Sequence, residues 1–420
     1  MRVSLISLGC KVNQAEIENW QRQLHKRGAK IVDFGQEADF YIINTCSVTH
    51  LADKKSRQKI RQVLKTNNRG QLIVTGCLAH WNKRAISQIS PRIIIINNFE
   101  KDYLIDFLPL DKKVNYCPND FNLYRGRTRT LIKIQDGCDN FCAYCLIPYV
   151  RGPKKSFPPQ RIISAICQRE KEGYKEVVLT GVNIGKYNWQ EKKTKRKIDL
   201  VCLIKSILEK TKSIRIRLSS IEPVDFNQQL LFLFQNKRLC RHLHLPLQTG
   251  ADELLKKMGR DYTTDEFSSL VKQIKNKVPE MAITTDLIIG LPYETEKLFK
   301  KTYSFVAKLD LAKIHLFKYS PRPFTKAALM SHQVNEKIKY SRYQKMAELA
   351  RRLQVNYQKK FLGRYVKVLF EQKRGEYWEG LTDNYLKVKV KNKKNLRNEV
   401  RKVFLKKITS CGILGELNKS

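Results

Sequence analysis

Acidic residues are scarce in this chain of 420 residues: 39 Asp and Glu stand against 81 Lys and Arg, which leaves a net charge of +42. Long hydrophobic runs are also missing, since none approaches the ~20 residues that a membrane helix needs. The first apolar stretch, Val3–Leu8, is shorter than the ~7–15 residues of a signal-peptide core. We therefore expect a cytoplasmic protein with no membrane partner.

Cysteine is dilute, with an odd count of eleven, and this excludes the disulfide scaffold of a small secreted protein. Hydrophobic residues nevertheless make up 42% of the chain and aromatic residues 10%. That content is enough to bury real cores, so the chain is not disordered as a whole. Its length favours two or three domains.

The positive charge is spread over every part of the chain rather than gathered in one tail. Such a distribution favours a polyanionic ligand that spans the molecule, and nucleic acid fits it better than an anionic membrane surface. The alternative is a solvated, lysine-rich surface with no partner, because net charge is an argument about association and not about fold.

The N-terminal region, 1–108, alternates short apolar runs with helical patterns, which predicts an α/β domain with a parallel sheet. A helix is predicted at Asn13–Arg27. The predicted strands are Val3–Leu8, Phe40–Asn44, Leu72–Thr75 and Ile93–Ile96. The polar segment 109–130 is interpreted as a linker.

The central region, 131–335, repeats this alternation six times and predicts a partial (β/α)6 barrel. Its predicted strands are Leu131–Gln135, Glu176–Thr180, Ile214–Leu218, His242–Leu245, Ile283–Ile289 and Lys313–Phe317. A connecting helix is predicted over 336–361, where four apolar residues are expected to serve core packing: Met346, Leu349, Leu353 and Tyr357.

The C-terminal region, 362–420, changes to a period of two, as in Val366, Val368 and Phe370. This predicts a small antiparallel β-barrel of four or five strands. Basic residues interleave its strands, which is typical of RNA-binding modules. Solvated outer strand faces would produce the same pattern.

Cys138, Cys142 and Cys145 form a C-x-x-x-C-x-x-C run directly after a predicted strand. Zinc sites usually have four ligands in C-x-x-C pairs, whereas here no fourth Cys or His lies nearby in the sequence. Three thiolates on a 4Fe-4S cluster would leave one iron open for a substrate or cofactor. A zinc site and inert buried cysteines are the alternatives.

Cys10, Cys46 and Cys77 each follow the end of a predicted strand. The carboxyl ends of parallel strands meet at one sheet edge, where ligands bind, so topology predicts a second three-cysteine cluster there. Chance burial is the alternative, because cysteine is often buried. The other cysteines are interpreted as ordinary thiols of a reducing compartment: Cys117, Cys167, Cys202, Cys240 and Cys411.

Several ordered motifs around these cysteines resemble the radical S-adenosylmethionine methylthiotransferase family over essentially the whole chain. They are Ser7–Gln14, Asn44–Thr49, Thr75–Cys77, Gln135–Cys138, Pro148–Gly152 and His244–Gly250. The C-terminal region, which opens with Leu362-Gly363-Arg364, resembles the RNA-binding TRAM domain. Within the family, Gly9–Gln14 is similar to the branch that acts on N6-threonylcarbamoyladenosine in tRNA.

The resemblance implies an N-terminal methylthiotransferase domain at 1–108, a radical S-adenosylmethionine barrel at 131–335 and a TRAM-like domain at 362–420. It also implies two 4Fe-4S clusters, held by the two cysteine sets, with S-adenosylmethionine as cofactor. The implied reaction is methylthiolation of carbon 2 of threonylcarbamoyladenosine next to the anticodon. The implied partners are tRNA, an electron donor such as flavodoxin or ferredoxin, and a sulfur source.

Three other functions stay open at this point. The substrate could be isopentenyladenosine in tRNA or a ribosomal protein, although +42 of charge favours a whole tRNA. A non-enzyme alternative is an RNA-binding protein that holds an iron–sulfur cluster or zinc.

Further positions at predicted strand ends are expected to contact S-adenosylmethionine, since barrel sites form there. They are Tyr144, Gly181, Asn183, Ser220, Glu222 and Gly290. No catalytic residue is assigned apart from the cluster ligands. The chain departs from the family at Phe324, where Gly is usual, and Gly permits backbone shapes that Phe does not. The family's substrate contacts are therefore not carried over to this segment.

Overall fold

The computed structural model describes residues 1–66, 69–110, 128–191 and 194–418. These residues form two compact units, and both units are discontinuous in sequence. The first unit combines the N-terminal region with Asp136–Lys155 and Ser320–Ala328. The second contains Ser156–Tyr319 and the C-terminal region. The domain boundaries proposed from the sequence follow chain order and stay a prediction; most of the predicted linker 109–130 lies outside the described residues.

The first unit is built on a parallel sheet, as the sequence predicts. Its strands are β1 (Arg2–Ser7), β2 (Lys30–Val32), β3 (Phe40–Thr45), β4 (Gln71–Gly76) and β5 (Ile93–Ile95). They lie in the order β2-β1-β3-β4-β5. Strand β2 was not predicted, because this three-residue edge strand has no apolar run of the length that marks a strand.

Helices cover both faces of this sheet. They are α1 (Lys11–Lys26), α2 (His50–Thr66), α3 (Cys77–Trp81), α4 (Lys83–Ser87) and a 3-10 helix (Lys101–Phe107). Helix α5 (Ile147–Arg151) packs against α3 instead. Successive strand side chains point to opposite faces, so Ile43 and Val74 belong to one hydrophobic core and Ile42 and Ile73 to the other.

The remaining strands of the α/β part follow in chain order. They are β6 (Arg129–Lys133), β7 (Gln135–Asp136), β8 (Lys155–Ser156), β9 (Glu176–Thr180), β10 (Asn188–Gln190), β11 (Lys197–Asp199), β12 (Arg215–Leu218), β13 (His242–His244), β14 (Ala282–Ile289) and β15 (Lys313–Lys318). Six of them form two parallel three-stranded sheets, β12-β9-β6 and β13-β14-β15. A parallel bridge between Ser220 and His244 joins the two sheets. This arrangement confirms the partial (β/α)6 barrel.

Helices alternate with these strands. They are α6 (Pro159–Lys171), α7 (Leu200–Lys210), α8 (Leu230–Leu233), α9 (Asp252–Lys257), α10 (Thr264–Lys277), α11 (Glu296–Ala307), α12 (Lys326–Leu329) and α13 (Glu336–Lys359). In α13, Met346, Leu349, Leu353 and Tyr357 are buried, which confirms their predicted core role. The helices in the described ranges include none with both the length and the apolar composition of a membrane span.

The C-terminal strands close into a five-stranded barrel in the order β16-β17-β18-β20-β19. They are β16 (Tyr365–Arg374), β17 (Tyr377–Thr382), β18 (Lys387–Lys391), β19 (Val400–Thr409) and β20 (Gly412–Leu417). The predicted antiparallel pairing is correct except between β18 and β20, which are parallel with Val388 opposite Ile413. An odd number of strands cannot alternate direction around a closed ring, so one parallel pair is required.

A buried ion-pair cluster fixes this barrel to β9 and β12 inside the second unit. Glu176 is fully buried and accepts hydrogen bonds from Arg215 at 2.6 Å and Arg217 at 2.7 Å. Arg217 also donates to the backbone carbonyls of Thr382 and Asp383, each at 2.9 Å. Burial by itself would raise the pKa of Glu176, but the two guanidiniums outweigh it and hold that pKa well below its usual range.

We expect Glu176→Gln to lower the free energy of unfolding by about 3–5 kcal/mol, because it leaves buried guanidiniums without a counter-charge. Urea unfolding followed by circular dichroism measures the change. Glu209→Gln on the exposed face of α7 is the matched control and should change stability by less than about 0.5 kcal/mol. Equal unfolding midpoints for the two variants would contradict this account of the cluster.

Candidate metal centre

All six cysteines predicted as ligands lie in the first unit. Cys10 stands between β1 and α1, Cys46 directly follows β3, and Cys77 is the first residue of α3 after β4. Parallel pairing puts Ser7 beside Asn44 and Asn44 beside Thr75, so the three chain segments leave the sheet at the same edge.

The thiols of this first set influence one another electrostatically. Burial, together with the neighbouring Cys77 and Cys10 thiols, raises the pKa of Cys46 to about 12. Burial also raises the pKa of Cys10, although the Arg151 guanidinium opposes the shift. The metal-free Cys10 and Cys46 thiols are therefore protonated at neutral pH, and a bound metal would have to displace their protons.

Gly9 brings the loop after β1 against the loop after β3. Its φ angle is +86°, in the left-handed region, and a Cβ atom built on it would collide with Cβ and Sγ of Cys46. Only glycine meets both requirements. In the Gly9-Cys10 pair, the cysteine is the predicted ligand and the glycine is required by the close approach to Cys46.

The second set of cysteines lies on a short loop that ends at α5. The Cys138 N–H donates to the carbonyl of Gly152 at 3.1 Å, and the Cys145 N–H donates to the carbonyl of Cys142 at 2.9 Å. The Asn140 N–H points at Sγ of Cys138, 3.3 Å away. Cys138 and Cys142 are buried and Cys145 is half-buried.

The donor sets suit an iron–sulfur cluster. Each is made of three thiols, the soft ligands that such clusters take. Within the ranges that the structure describes, no three His, Cys, Asp or Glu side chains converge as they would on a single metal ion. In a 4Fe-4S cluster each cysteine binds a different iron, so its ligands stand farther apart than those of a single ion. Each set offers the three protein ligands that a 4Fe-4S cluster with one open iron takes, and the assignment of these six cysteines as ligands stays a prediction.

Asn13 is the first member of a buried polar network that joins the cysteine loops. Its amide nitrogen donates to the carbonyls of Leu8 and Thr45, each at 2.9 Å, and so bridges the ends of β1 and β3. Its amide oxygen accepts from Arg151 and lies 3.7 Å from Sγ of Cys10. This asparagine is fully buried.

Arg151 is the centre of the network. Its guanidinium donates to Asp136 at 2.7 Å and to Glu16 at 3.1 Å, and its side chain is only 1% exposed. Lys101 adds a second cation, 2.7 Å from Glu16. Burial opposes the charge on Arg151, but Asp136 and Glu16 outweigh it and hold its pKa well above the ordinary value.

Asn98 extends the network to the third cysteine of the first set. Its amide nitrogen donates to the carbonyl of Val150 at 2.6 Å and lies 3.9 Å from Sγ of Cys77. The Lys101 ammonium donates to its amide oxygen at 3.2 Å. A continuous set of buried hydrogen bonds therefore links the loops of Cys10, Cys46 and Cys77 to the segment that carries Cys138, Cys142 and Cys145.

None of these network residues was predicted from the sequence to have a role. Asn13 and Arg151 lie inside the family-like motifs Gly9–Gln14 and Pro148–Gly152. A polar residue within such a motif was the one sign in the sequence that it has a role. Glu16 and Lys101 carried no such signal, because their partners are distant in the chain.

Five of the six residues expected to contact S-adenosylmethionine lie in the second unit, after strand ends of the partial barrel: Gly181, Asn183, Ser220, Glu222 and Gly290. Asn183 is buried; it donates to Asp225 at 2.6 Å and accepts from the Glu222 N–H at 3.4 Å. Glu222 is paired with Arg260, and the Gly290 N–H donates to Glu294 at 3.0 Å. The sixth residue, Tyr144, is half-buried in the first unit. Their role toward the cofactor stays a prediction.

Two family models match the chain. The model described as uncharacterized protein family UPF0004 matches residues 2–97, and the radical SAM superfamily model matches residues 132–306. Among solved structures, the radical S-adenosylmethionine methyltransferase TsrM of Kitasatospora setae aligns with a TM-score of 0.55 at 13% identity, over 78% of this chain and 75% of that one. At this identity the likeness concerns the fold alone.

Curated relatives are similar over nearly the whole chain. The threonylcarbamoyladenosine tRNA methylthiotransferase MtaB of Bacillus subtilis is 34% identical over 96% of this chain and 94% of its own length. The MtaB protein of Thermotoga maritima is 35% identical over 88% and 86%. A tRNA-2-methylthio-N(6)-dimethylallyladenosine synthase of Protochlamydia amoebophila is 32% identical over 87% and 84%. The chain therefore belongs to the radical S-adenosylmethionine methylthiotransferase family, whose cofactors are S-adenosylmethionine and iron–sulfur clusters.

Gly9→Ala should prevent assembly of the cluster at Cys10, Cys46 and Cys77, because the added methyl group collides with Cys46. Iron analysis after anaerobic reconstitution should give about eight irons per wild-type chain and about four per variant chain. Gly35→Ala is the matched control: Gly35 also has a left-handed φ, +100°, but no atom lies within 4 Å of its added Cβ. Full iron loading of Gly9→Ala would refute the role of the close approach.

Arg151→Met should lower the free energy of unfolding by about 3–5 kcal/mol, since Glu16 and Asp136 each lose a buried ion-pair partner. Urea unfolding of the metal-free chain, followed by tryptophan fluorescence, measures the loss. Arg27→Met removes a partner of the half-exposed Asp106 and should cost no more than about 1 kcal/mol. A similar small cost for Arg151→Met would show that the network adds little.

Proposed function

We propose that this protein methylthiolates carbon 2 of N6-threonylcarbamoyladenosine next to the anticodon of tRNA, by radical S-adenosylmethionine chemistry, in the cytoplasm. The observation that carries the proposal is the pair of three-cysteine sets in one compact unit, joined by the buried network around Arg151. Two sets are needed because the reaction has two parts: activation of an unreactive carbon–hydrogen bond and delivery of sulfur.

The residues divide between these two parts. Cys138, Cys142 and Cys145 would hold the cluster that binds S-adenosylmethionine, and Cys10, Cys46 and Cys77 would hold the cluster that delivers sulfur. When bound, these groups supply a carbon radical able to remove the hydrogen at carbon 2, together with sulfur and a methyl group. The chain itself fixes the thiols, through Gly9 and Asn13 in one set and through the backbone of Gly152 in the other.

The choice of substrate follows the relatives and the first cysteine motif. Four of the curated relatives are named as threonylcarbamoyladenosine enzymes, at 32–35% identity, and four as dimethylallyladenosine enzymes, at 30–32%. Gly9–Gln14 resembles the first branch. The buried Asn13 within it spans two strand ends, so this motif also shapes the site.

Charge and the C-terminal barrel support tRNA as the partner. A net charge of +42 steers the protein toward a polyanion. Lysines and arginines line the barrel strands, as in Lys387, Lys389 and Lys391 of β18. An electron donor such as flavodoxin or ferredoxin and a separate sulfur source complete the proposed set of partners.

The reaction of the reconstituted enzyme with anticodon stem–loop RNA tests the proposal. The expected product is a methylthio group on RNA that contains threonylcarbamoyladenosine, with little on RNA that contains isopentenyladenosine. Replacing Cys10, Cys46 and Cys77 together by Ala should abolish methylthiolation but leave reductive cleavage of S-adenosylmethionine. Cys202→Ala, which removes an exposed thiol, is the control and should change neither readout.

Three results would contradict parts of this proposal. Preference for the isopentenyladenosine RNA would overturn the substrate assignment, and methylthiolation by the triple variant would overturn the two-cluster account. Failure of the wild-type protein to cleave S-adenosylmethionine under reduction would favour a non-catalytic RNA-binding protein.

A further inference from the structure

Three large aromatic side chains are exposed on the first unit beside the cluster-binding loop. Phe141 is 60% exposed, Tyr149 39% and Phe324 63%. Phe141 immediately precedes the predicted ligand Cys142, and Tyr149 follows Cys145 by four residues. We call Phe141, Tyr149 and Phe324 the aromatic patch.

The rings of the patch contact one another. The centroids of Phe141 and Tyr149 are 5.8 Å apart, and those of Tyr149 and Phe324 are 6.2 Å apart. Phe324 also meets Trp81 at 6.5 Å. The Trp81 indole N–H donates to Ser47 at 2.5 Å, so the patch rests on an anchored side chain. It is a supported surface and not a set of isolated rings.

The backbone at Phe324 is strained. Its φ angle is +66°, in a region that bulky residues rarely adopt. Folding gains little from this residue in return, because most of its ring remains in solvent. Strain of this kind is typical of functional sites. At the position where the resemblance predicts glycine, the chain thus carries an aromatic ring. The fold keeps this ring exposed to solvent although its backbone is strained.

Buried polar side chains hold the segment of Phe324 in place. The Arg322 guanidinium donates to Ser47 at 2.8 Å and to Asp53 at 2.6 Å, and its side chain is 2% exposed. Thr325 donates to the carbonyl of Arg322 at 2.6 Å. The position of the Phe324 ring is therefore fixed before any ligand arrives.

We propose that the aromatic patch is a stacking platform for an unpaired nucleobase of the tRNA anticodon loop, next to the adenosine that is modified. This inference rests on the proposed function. RNA is the occupant that the charge favours, and unpaired bases of RNA loops stack on exposed aromatic rings. A substrate base that reaches the cluster beside Cys142 brings its neighbours in the strand to the same surface.

Phe324→Gly is a selective test, because glycine accepts the left-handed backbone and the variant should fold at least as well as wild type. The reconstituted full-length protein is mixed with an anticodon stem–loop RNA that carries 2-aminopurine on the 3′ side of threonylcarbamoyladenosine. Wild type should quench the fluorescence on binding. Phe324→Gly should bind roughly 5- to 100-fold more weakly and lose most of the quenching.

Two further variants separate stacking from a general loss. Phe324→Trp keeps a ring and should retain affinity and quenching. Phe232→Ala removes a ring that is 64% exposed in the second unit and should change neither. Wild-type affinity and quenching in Phe324→Gly would overturn the platform, as would an equal loss in Phe232→Ala.

The same measurements distinguish failure of the proposed reaction from failure of the stacking platform. If wild type binds and quenches but does not methylthiolate the RNA, the platform stands and the reaction assignment fails. If wild type methylthiolates the RNA and Phe324→Gly binds it equally well, the platform alone fails. Absence of any RNA binding by wild type would overturn both.

Discussion

A single buried guanidinium controls the arrangement of the cysteine loops. Arg151 reaches Asn13 and Glu16 on α1 and also Asp136 beside the Cys138 loop. A buried cation is costly unless it is fully paired, so any shift of one loop against the other would leave a charge or an amide without its partner. The network therefore fixes the geometry of both thiol sets more than it adds to net stability.

The second constraint is the parallel sheet. Thirty or more residues separate Cys10, Cys46 and Cys77 from one another in the chain, yet each lies just beyond the carboxyl end of a strand. Parallel pairing brings those ends to one edge without any local motif. A site of this kind separates the task of gathering the ligands, which the sheet performs, from the task of orienting them, which Asn13 and Gly9 perform.

Much of this organisation was predictable from the sequence. Apolar periodicity predicted the N-terminal sheet, the six barrel strands and the change to a β-barrel, because burial of one face leaves a direct trace in the sequence. Strand ends then placed Cys10, Cys46 and Cys77 at one edge. The edge strand β2 was not predicted, because so short a strand shows little alternation of apolar and polar residues. The parallel pairing of β18 with β20 was not predicted either, because strand direction there depends on how the barrel closes.

The buried polar network around Arg151 could not be predicted from the sequence. Glu16 and Lys101 look like ordinary surface charges on amphipathic segments, and only the tertiary structure shows their burial. The phenylalanine at position 324 gives no sign of its left-handed backbone either, and the signal available was the glycine that is usual there in the family. The periodicity of apolar residues indicates which face of a segment is buried. The pairing of polar groups that are distant in the chain can be seen only in the tertiary structure.

The proposed reaction is the addition of a methylthio group to threonylcarbamoyladenosine in tRNA. Nucleoside mass spectrometry of tRNA from cells with and without the gene tests it most directly. If the proposal is correct, deletion removes 2-methylthio-N6-threonylcarbamoyladenosine and leaves its unmethylthiolated precursor in its place. Unchanged levels of that nucleoside, or loss of the methylthio group from isopentenyladenosine instead, would contradict it.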